Sequence, residues 1–95
     1  MKQKVLITGI TGQDGVFLSN LLLKSNEYKI IGTSRTGDDV GLRKKLHYLG
    51  NNNNSLENLE VTKCNLQESV EIENLVNHHK PDYVYNLIGP GSVSQ

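Results

Sequence analysis

The stretch Lys4-Val5-Leu6-Ile7-Thr8-Gly9-Ile10-Thr11-Gly12-Gln13-Asp14-Gly15 decides the fold. Its apolar run, Val5-Leu6-Ile7, stops at Gly9, and two more glycines follow at Gly12 and Gly15. Beyond them Phe17, Leu18, Leu21 and Leu22 recur at helical spacing. A β-branched strand, a glycine-rich turn and an amphipathic helix in that order make a phosphate-binding βα unit. A helix N-terminus offers unpaired N–H groups and a partial positive charge to a pyrophosphate, and glycines let the backbone come close to it. Glycine turns also join strands to helices in domains that bind nothing, so the context carries the weight: a buried-type strand before, a helix after. The spacing is G-x-x-G-x-x-G with no Gly-Lys-Ser/Thr, which sets a P-loop aside.

Outward from the turn, helix and strand patterns alternate. The first helix is expected from about Gly15 to Ser25, and Tyr28–Ser34 reads as a second strand ending at Arg35. After a turn-rich segment, Leu42, Leu46 and Leu49 mark a short amphipathic helix, with Arg43, Lys44 and Lys45 on its wet side. Asn51 to Asn54 reads as a polar surface loop. Leu59–Cys64 alternates as a strand does, and a helix follows over Ser69–His79 with Ile72, Leu75, Val76 and His79 on one face. Either Ser69 or Asn65 can cap it, and Lys80-Pro81 stops it. Asp82–Ile88 is the fourth strand, running into Gly89-Pro90-Gly91-Ser92. The order β-α-β-α-β-α-β predicts an α/β fold, the N-terminal half of a Rossmann-like doubly wound parallel sheet, filling residues 1–95 as one domain. Ligands gather at the carboxyl ends of such strands: here Gly9 to Gly15, Ser34-Arg35, Asn65-Leu66 and Leu87 to Gly91.

Composition narrows the partners. Ten basic and ten acidic side chains cancel over 95 residues, so nothing points to nucleic acid or an anionic membrane. The single cysteine, Cys64, cannot form an internal disulfide, which fits a reducing compartment. Apolar runs are too short to span a bilayer, and Met1-Lys2-Gln3 leads straight into a strand without a signal-peptide core. A soluble, cytoplasmic protein is the expectation.

The second strand speaks to the cofactor. NAD-selective folds place Asp or Glu at its end to hold the ribose 2′-hydroxyl. Thr33-Ser34-Arg35 stands there instead, with Asp38 and Asp39 later, in the turn. A guanidinium suits a 2′-phosphate, and no carboxylate repels one, so NADP is favoured over NAD. The competing reading is an ordinary surface arginine.

These residues resemble the extended short-chain dehydrogenase/reductases that act on nucleotide sugars, and within them the GDP-mannose 4,6-dehydratases. Thr8 to Gly15 matches that group's T-G-x-T-G-Q-D-G, where Gln13-Asp14 replaces the bulkier residues of related epimerases. Lys80-Pro81-Asp82 with Tyr85-Asn86-Leu87 matches K-P-x-x-x-Y-N-L, and Asn65-Leu66 falls where the family has Asp-Leu. The resemblance implies that Gly9, Ile10, Thr11, Gly12, Gln13 and Asp14, with Gly15 closing the turn, wrap the pyrophosphate and that Arg35 meets the 2′-phosphate. It implies that Asn65 and Leu66 hold the adenine and that Leu87, Ile88, Gly89, Pro90 and Gly91 pass along the ribose and nicotinamide. Asn65 lacks the charge of the family's Asp, and Pro90 has no N–H to donate.

The implied chemistry is an internal redox cycle: hydride from C4 of a sugar such as GDP-mannose to NADP⁺, loss of water across C5–C6, and return of the hydride to C6. A 4-keto-6-deoxy nucleotide sugar results. The family's Tyr-x-x-x-Lys is absent, since Tyr28, Tyr48, Tyr83 and Tyr85 lack a lysine four residues on. The chain is therefore expected to be a truncated cofactor-binding part, inactive alone, with no catalytic residue of its own and with a homo-oligomeric parent. An epimerase or reductase of the same fold, and a non-catalytic dinucleotide-binding protein, are the alternatives. Adjacent His78 and His79 point about 100° apart on a helix, so no metal site is expected. Cys64 has no activating neighbour in sequence, and Glu68, Glu71 and Glu73 read as surface charge.

Overall fold

The computed structural model describes residues 2–64 and 69–87. Four parallel strands carry the chain: β1 (Gln3–Thr8), β2 (Tyr28–Ser34), β3 (Leu59–Lys63) and β4 (Tyr83–Asn86). Between them lie α1 (Gln13–Ser25), α2 (Val40–Tyr48), α3 (Asn53–Leu56) and α4 (Ser69–His79). The spatial order is β3-β2-β1-β4, so the chain steps one way through its first three strands and then crosses back past β1. That reversal between β1 and β4 is the topological switch point of a doubly wound sheet.

Successive strand residues face opposite sides, and the two faces are covered differently. Val5, Ile7, Ile30 and Leu59 join Ile10, Val16, Leu23, Leu42, Leu46 and Leu56 in one core, so α1, α2 and α3 cover that side. Leu6 and Ile31 are equally buried on the other side. Lys4 shares a face with Leu6, and its ammonium donates to the His79 carbonyl at the end of α4 (3.3 Å). That contact places α4 over the second face.

Several expectations shift. α1 starts at Gln13, two residues ahead of Gly15, because Gly12 serves as its N-cap. Its buried stripe is Gly15, Val16, Ser19 and Leu23; Leu18 and Leu22 pack at its margin, but Phe17 and Leu21 stand 65% and 53% exposed. Gly15 sets that rotation by resting on the backbone of Ile10. The asparagine tract is not a plain surface loop. Asn51 is 3% exposed, donating to Asn20 Oδ1 (2.8 Å) and the Leu46 carbonyl (3.0 Å), and Asn52 makes a capping box with Ser55 that starts α3.

Arg43 is half-buried and leaves the wet face of α2, reaching Asp39 and two main-chain carbonyls. Leu49 caps that helix, exposed, and does not join Leu42 and Leu46 inside. Cys64 falls just past β3 but continues its pairing, donating from its N–H to the Ser34 carbonyl (2.9 Å). β4 is shorter than Asp82–Ile88. Asp82 closes its start against β1: its N–H meets the Lys4 carbonyl (2.8 Å), and its carboxylate accepts from the Lys4 N–H (2.8 Å).

Candidate functional site: a glycine turn at the switch point

β1 ends at Thr8, and Gly9 reverses the chain at φ +70°, a left-handed conformation that glycine adopts without steric cost. β2 then holds the turn. The Gly9 N–H donates to Thr33 Oγ1 (3.2 Å), and the Ile10 N–H to the Thr33 carbonyl (3.0 Å). Ile10 plugs the turn from inside, fully buried over Gly32, where an added Cβ would lie 2.3 Å from its Cδ1. Its side chain therefore faces the core, and within the turn the surface that a ligand can reach belongs to Thr11, Gly12, Gln13 and Asp14, all exposed.

The glycines divide the work. A Cβ on Gly15 would come within 2.4 Å of the Ile10 carbonyl oxygen, so Gly15 is required for the helix to sit on the turn. Gly12 has no such internal reason. Its φ of −72° suits any residue, and a Cβ there would meet only the Gly9 carbonyl oxygen, at 3.5 Å. It also supplies no side chain to cap α1, so the first-turn N–H groups and the positive end of the helix dipole face outward uncovered. An N-cap without a cap, where nothing inside the protein forbids a side chain, fits a pyrophosphate resting on the helix end.

The neighbouring strand ends frame this turn. Thr8, 1% exposed, donates from Oγ1 to Asn86 Oδ1 (2.7 Å) and accepts at its carbonyl from the Leu87 N–H (3.2 Å). Leu87 thus lies beside the turn, its side chain half-buried against the core. On the other flank, Ser34 pairs with Lys63, and its hydroxyl accepts from the Gly37 N–H (2.8 Å). Arg35 follows, exposed, and among the described residues its guanidinium makes no ion pair. The structure brings Gly9 to Gly15, Arg35 and Leu87 to the carboxyl end of the sheet; Asn65, Leu66, Ile88, Gly89, Pro90 and Gly91 lie outside the described residues.

Near the end of β3, a cavity of about 520 Å³ is lined by Lys63, Cys64, Glu71, Asn74, Leu75 and His78. Burial pushes the Cys64 thiol above its ordinary value, and the Glu71 carboxylate adds to the effect. A raised pKa favours the neutral thiol over the thiolate that would act as a nucleophile. No cluster of metal-ligating side chains occurs among the described residues, and no helix among them is long and apolar enough to cross a membrane.

The sequence pattern did not single out Thr33, which holds the turn, or Gly32, which seats Ile10. Gly32 did carry a signal. A glycine in the middle of a β-branched strand marks a close approach.

The family model described as GDP-mannose 4,6 dehydratase matches residues 6–95. GDP-mannose 4,6-dehydratase of Vibrio cholerae is 32% identical over 87 residues, covering 92% of this chain and 23% of that protein. The human GDP-mannose 4,6 dehydratase is 34% identical over 83 residues, covering 86% of this chain and 22% of its own length. The chain therefore spans about a quarter of the length of the curated relatives it matches. Among solved structures, a mutant UDP-glucuronic acid 4-epimerase from Bacillus cereus, in complex with a fluorinated UDP-sugar and NAD, superposes with a TM-score of 0.59 at 23% identity. That match covers 90% of this chain and 26% of the epimerase chain. At that identity the likeness speaks for the fold. The chain belongs to the GDP-mannose 4,6-dehydratase family.

Proposed function

We propose that this chain is the NADP-binding portion of a nucleotide-sugar 4,6-dehydratase acting on GDP-mannose or a close analogue. The observation that carries the reading is the uncapped helix end at Gly12 beside an acid-free β2 terminus bearing an exposed Arg35. Gln13, Asp14 and Gly15 offer first-turn N–H groups to the pyrophosphate, and Arg35 stands where a 2′-phosphate would be met. The Thr8–Asn86–Leu87 contacts hold the β4 terminus beside the turn, and the family resemblance assigns Leu87 to Gly91 to the ribose and nicotinamide side. When bound, the dinucleotide supplies hydride acceptance and return, so that oxidation at C4 and reduction at C6 cancel across the elimination of water.

This chain's residues bind and orient; they carry no Tyr-x-x-x-Lys, and catalysis belongs to sequence outside it. The 95-residue chain alone is proposed to be inactive, and the parent a cytoplasmic homo-oligomer. The test is a titration of the full-length protein with NADP and NAD, beside an Arg35→Ala variant. NADP binds more tightly to the parent, and the variant loses about tenfold in NADP affinity with NAD unchanged, the weight of one charge-assisted phosphate contact. Equal affinities in the parent, or an Arg35→Ala variant with undiminished NADP binding, remove the NADP assignment.

A further inference from the structure

Arg35 opens a short segment, residues 35–39, whose other hydrogen bonds are local. The Asp38 N–H donates to Thr36 Oγ1 (3.1 Å), and the Val40 N–H to Asp38 Oδ1 (3.0 Å). Such contacts shape a turn, and its middle lies against the end of β3, where a Cβ added at Gly37 would be 3.1 Å from the Lys63 Cβ. One end is anchored at Ser34, 4% exposed, whose carbonyl accepts from the Cys64 N–H (2.9 Å). The other end is Asp39, the N-cap of α2, and its carboxylate is engaged by Arg43 Nε. Arg43 is itself held from behind. Its two terminal nitrogens donate to the carbonyls of Leu56 (3.2 Å) and Leu59 (2.9 Å), at the end of α3 and the start of β3.

Each of the three nitrogens of this guanidinium meets a protein acceptor, two of the acceptors on the main chain. With three of its five N–H donors so engaged, the guanidinium is held in place and is not a free surface charge. We infer that Arg43 is a positioning residue for cofactor choice: through Asp39 it fixes the segment that presents Arg35 to the 2′-phosphate. The inference rests on the NADP reading proposed above. Its direction is distinctive. Removing the Asp39 carboxylate takes a negative charge away from the neighbourhood of the 2′-phosphate, so a purely coulombic role would tighten NADP binding, whereas loss of the anchor loosens it.

The test uses the full-length protein and the variants Asp39→Asn, Arg43→Gln, their combination, and Arg35→Ala, each titrated with NADP and with NAD. Asp39→Asn keeps the shape of the side chain and serves where Arg43→Gln fails to fold. Expected is a loss of about tenfold in NADP affinity for either single variant, NAD affinity unchanged, and no further loss in the combination, as two parts of one anchor require. Tighter NADP binding by Asp39→Asn, unchanged NADP binding, or parallel losses for NADP and NAD overturn the inference while Arg35→Ala still abolishes NADP preference. An Arg35→Ala variant with undiminished NADP binding overturns the cofactor reading itself, and the inference with it.

Discussion

Gly12 and Gly15 lie three residues apart on one turn, and the structure assigns them opposite fates on substitution by alanine. At Gly15 the added Cβ would be 2.4 Å from the Ile10 carbonyl oxygen and 2.6 Å from its carbonyl carbon and Cα. Restoring an ordinary contact of about 3.4 Å means moving helix and turn apart by about 1 Å, and both partners are main chain. Overpacking of this kind costs about 1–3 kcal/mol, and a clash with backbone belongs at the upper end. Alanine recovers up to about 1 kcal/mol of helix propensity, so the net loss is about 2 kcal/mol, a fall of roughly 10 °C in melting temperature for a domain of this size.

At Gly12 the new Cβ has room, and exchanging glycine for alanine at an N-cap costs about 0.5 kcal/mol. That melting temperature falls by only about 2–4 °C. Dinucleotide affinity, however, drops by at least about tenfold, because the methyl group occupies the surface on which a pyrophosphate rests. Thermal unfolding by circular dichroism and a dinucleotide titration on both variants separate the two effects. A Gly15→Ala protein as stable as the parent would refute the close approach of α1 to Ile10. A Gly12→Ala protein that binds the dinucleotide undiminished would refute the cradle.

Two more outcomes are expected. Thr33→Val leaves the Gly9 N–H without its acceptor, which costs about 1–3 kcal/mol; urea denaturation reads the loss, and faster hydrogen exchange at the Gly9 amide locates it, so an unchanged exchange rate speaks against Thr33 as the holder of the turn. Burial lowers the His79 pKa below its ordinary value, joined by the positive charges of His78, Lys4 and Lys29 and opposed by the Glu60 carboxylate. The folded chain therefore takes up a proton there less readily than the unfolded one, so this contribution to stability is intact above the ordinary histidine value and declines as pH falls through it. The urea midpoint drops between about pH 7.5 and 5.5, and His79→Gln shallows that drop; identical slopes contradict the assignment.

What the sequence made legible follows from which signals are local. The strand–turn–helix at Lys4–Ser25 announces itself because each part restricts the backbone directly, and β2 is read to its residue limits, Tyr28–Ser34. The helical face was only half legible: an apolar count favours Phe17 and Leu21, but the rotation of α1 is set by the smallest residues, Gly15 and Ser19, where the helix comes closest. Ser19 can be buried there because its hydroxyl donates to the Gly15 carbonyl one turn back. Asn51 and Arg43 were misjudged for a common reason. Polar side chains read as solvated unless their partners are known, and apart from Asp39, one turn from Arg43, those partners (Asn20, Leu46, Leu56 and Leu59) are distant in sequence or on the main chain.

The position of Thr33 and Ser34 explains why one strand governs both halves of the proposed site. Thr33 holds the glycine turn through a side-chain and a main-chain contact, Gly32 gives Ile10 its seat, and Ser34 begins the segment carrying Arg35. A shift of the β2 terminus would move the pyrophosphate support and the arginine together, preserving their separation. A shift at Asp39 would move the arginine alone. On the proposed reading, affinity for any dinucleotide would be tied to β2, and discrimination at the 2′ position to the Arg43 anchor. The two properties can then be altered separately in one protein, which a single rigid cleft would not allow.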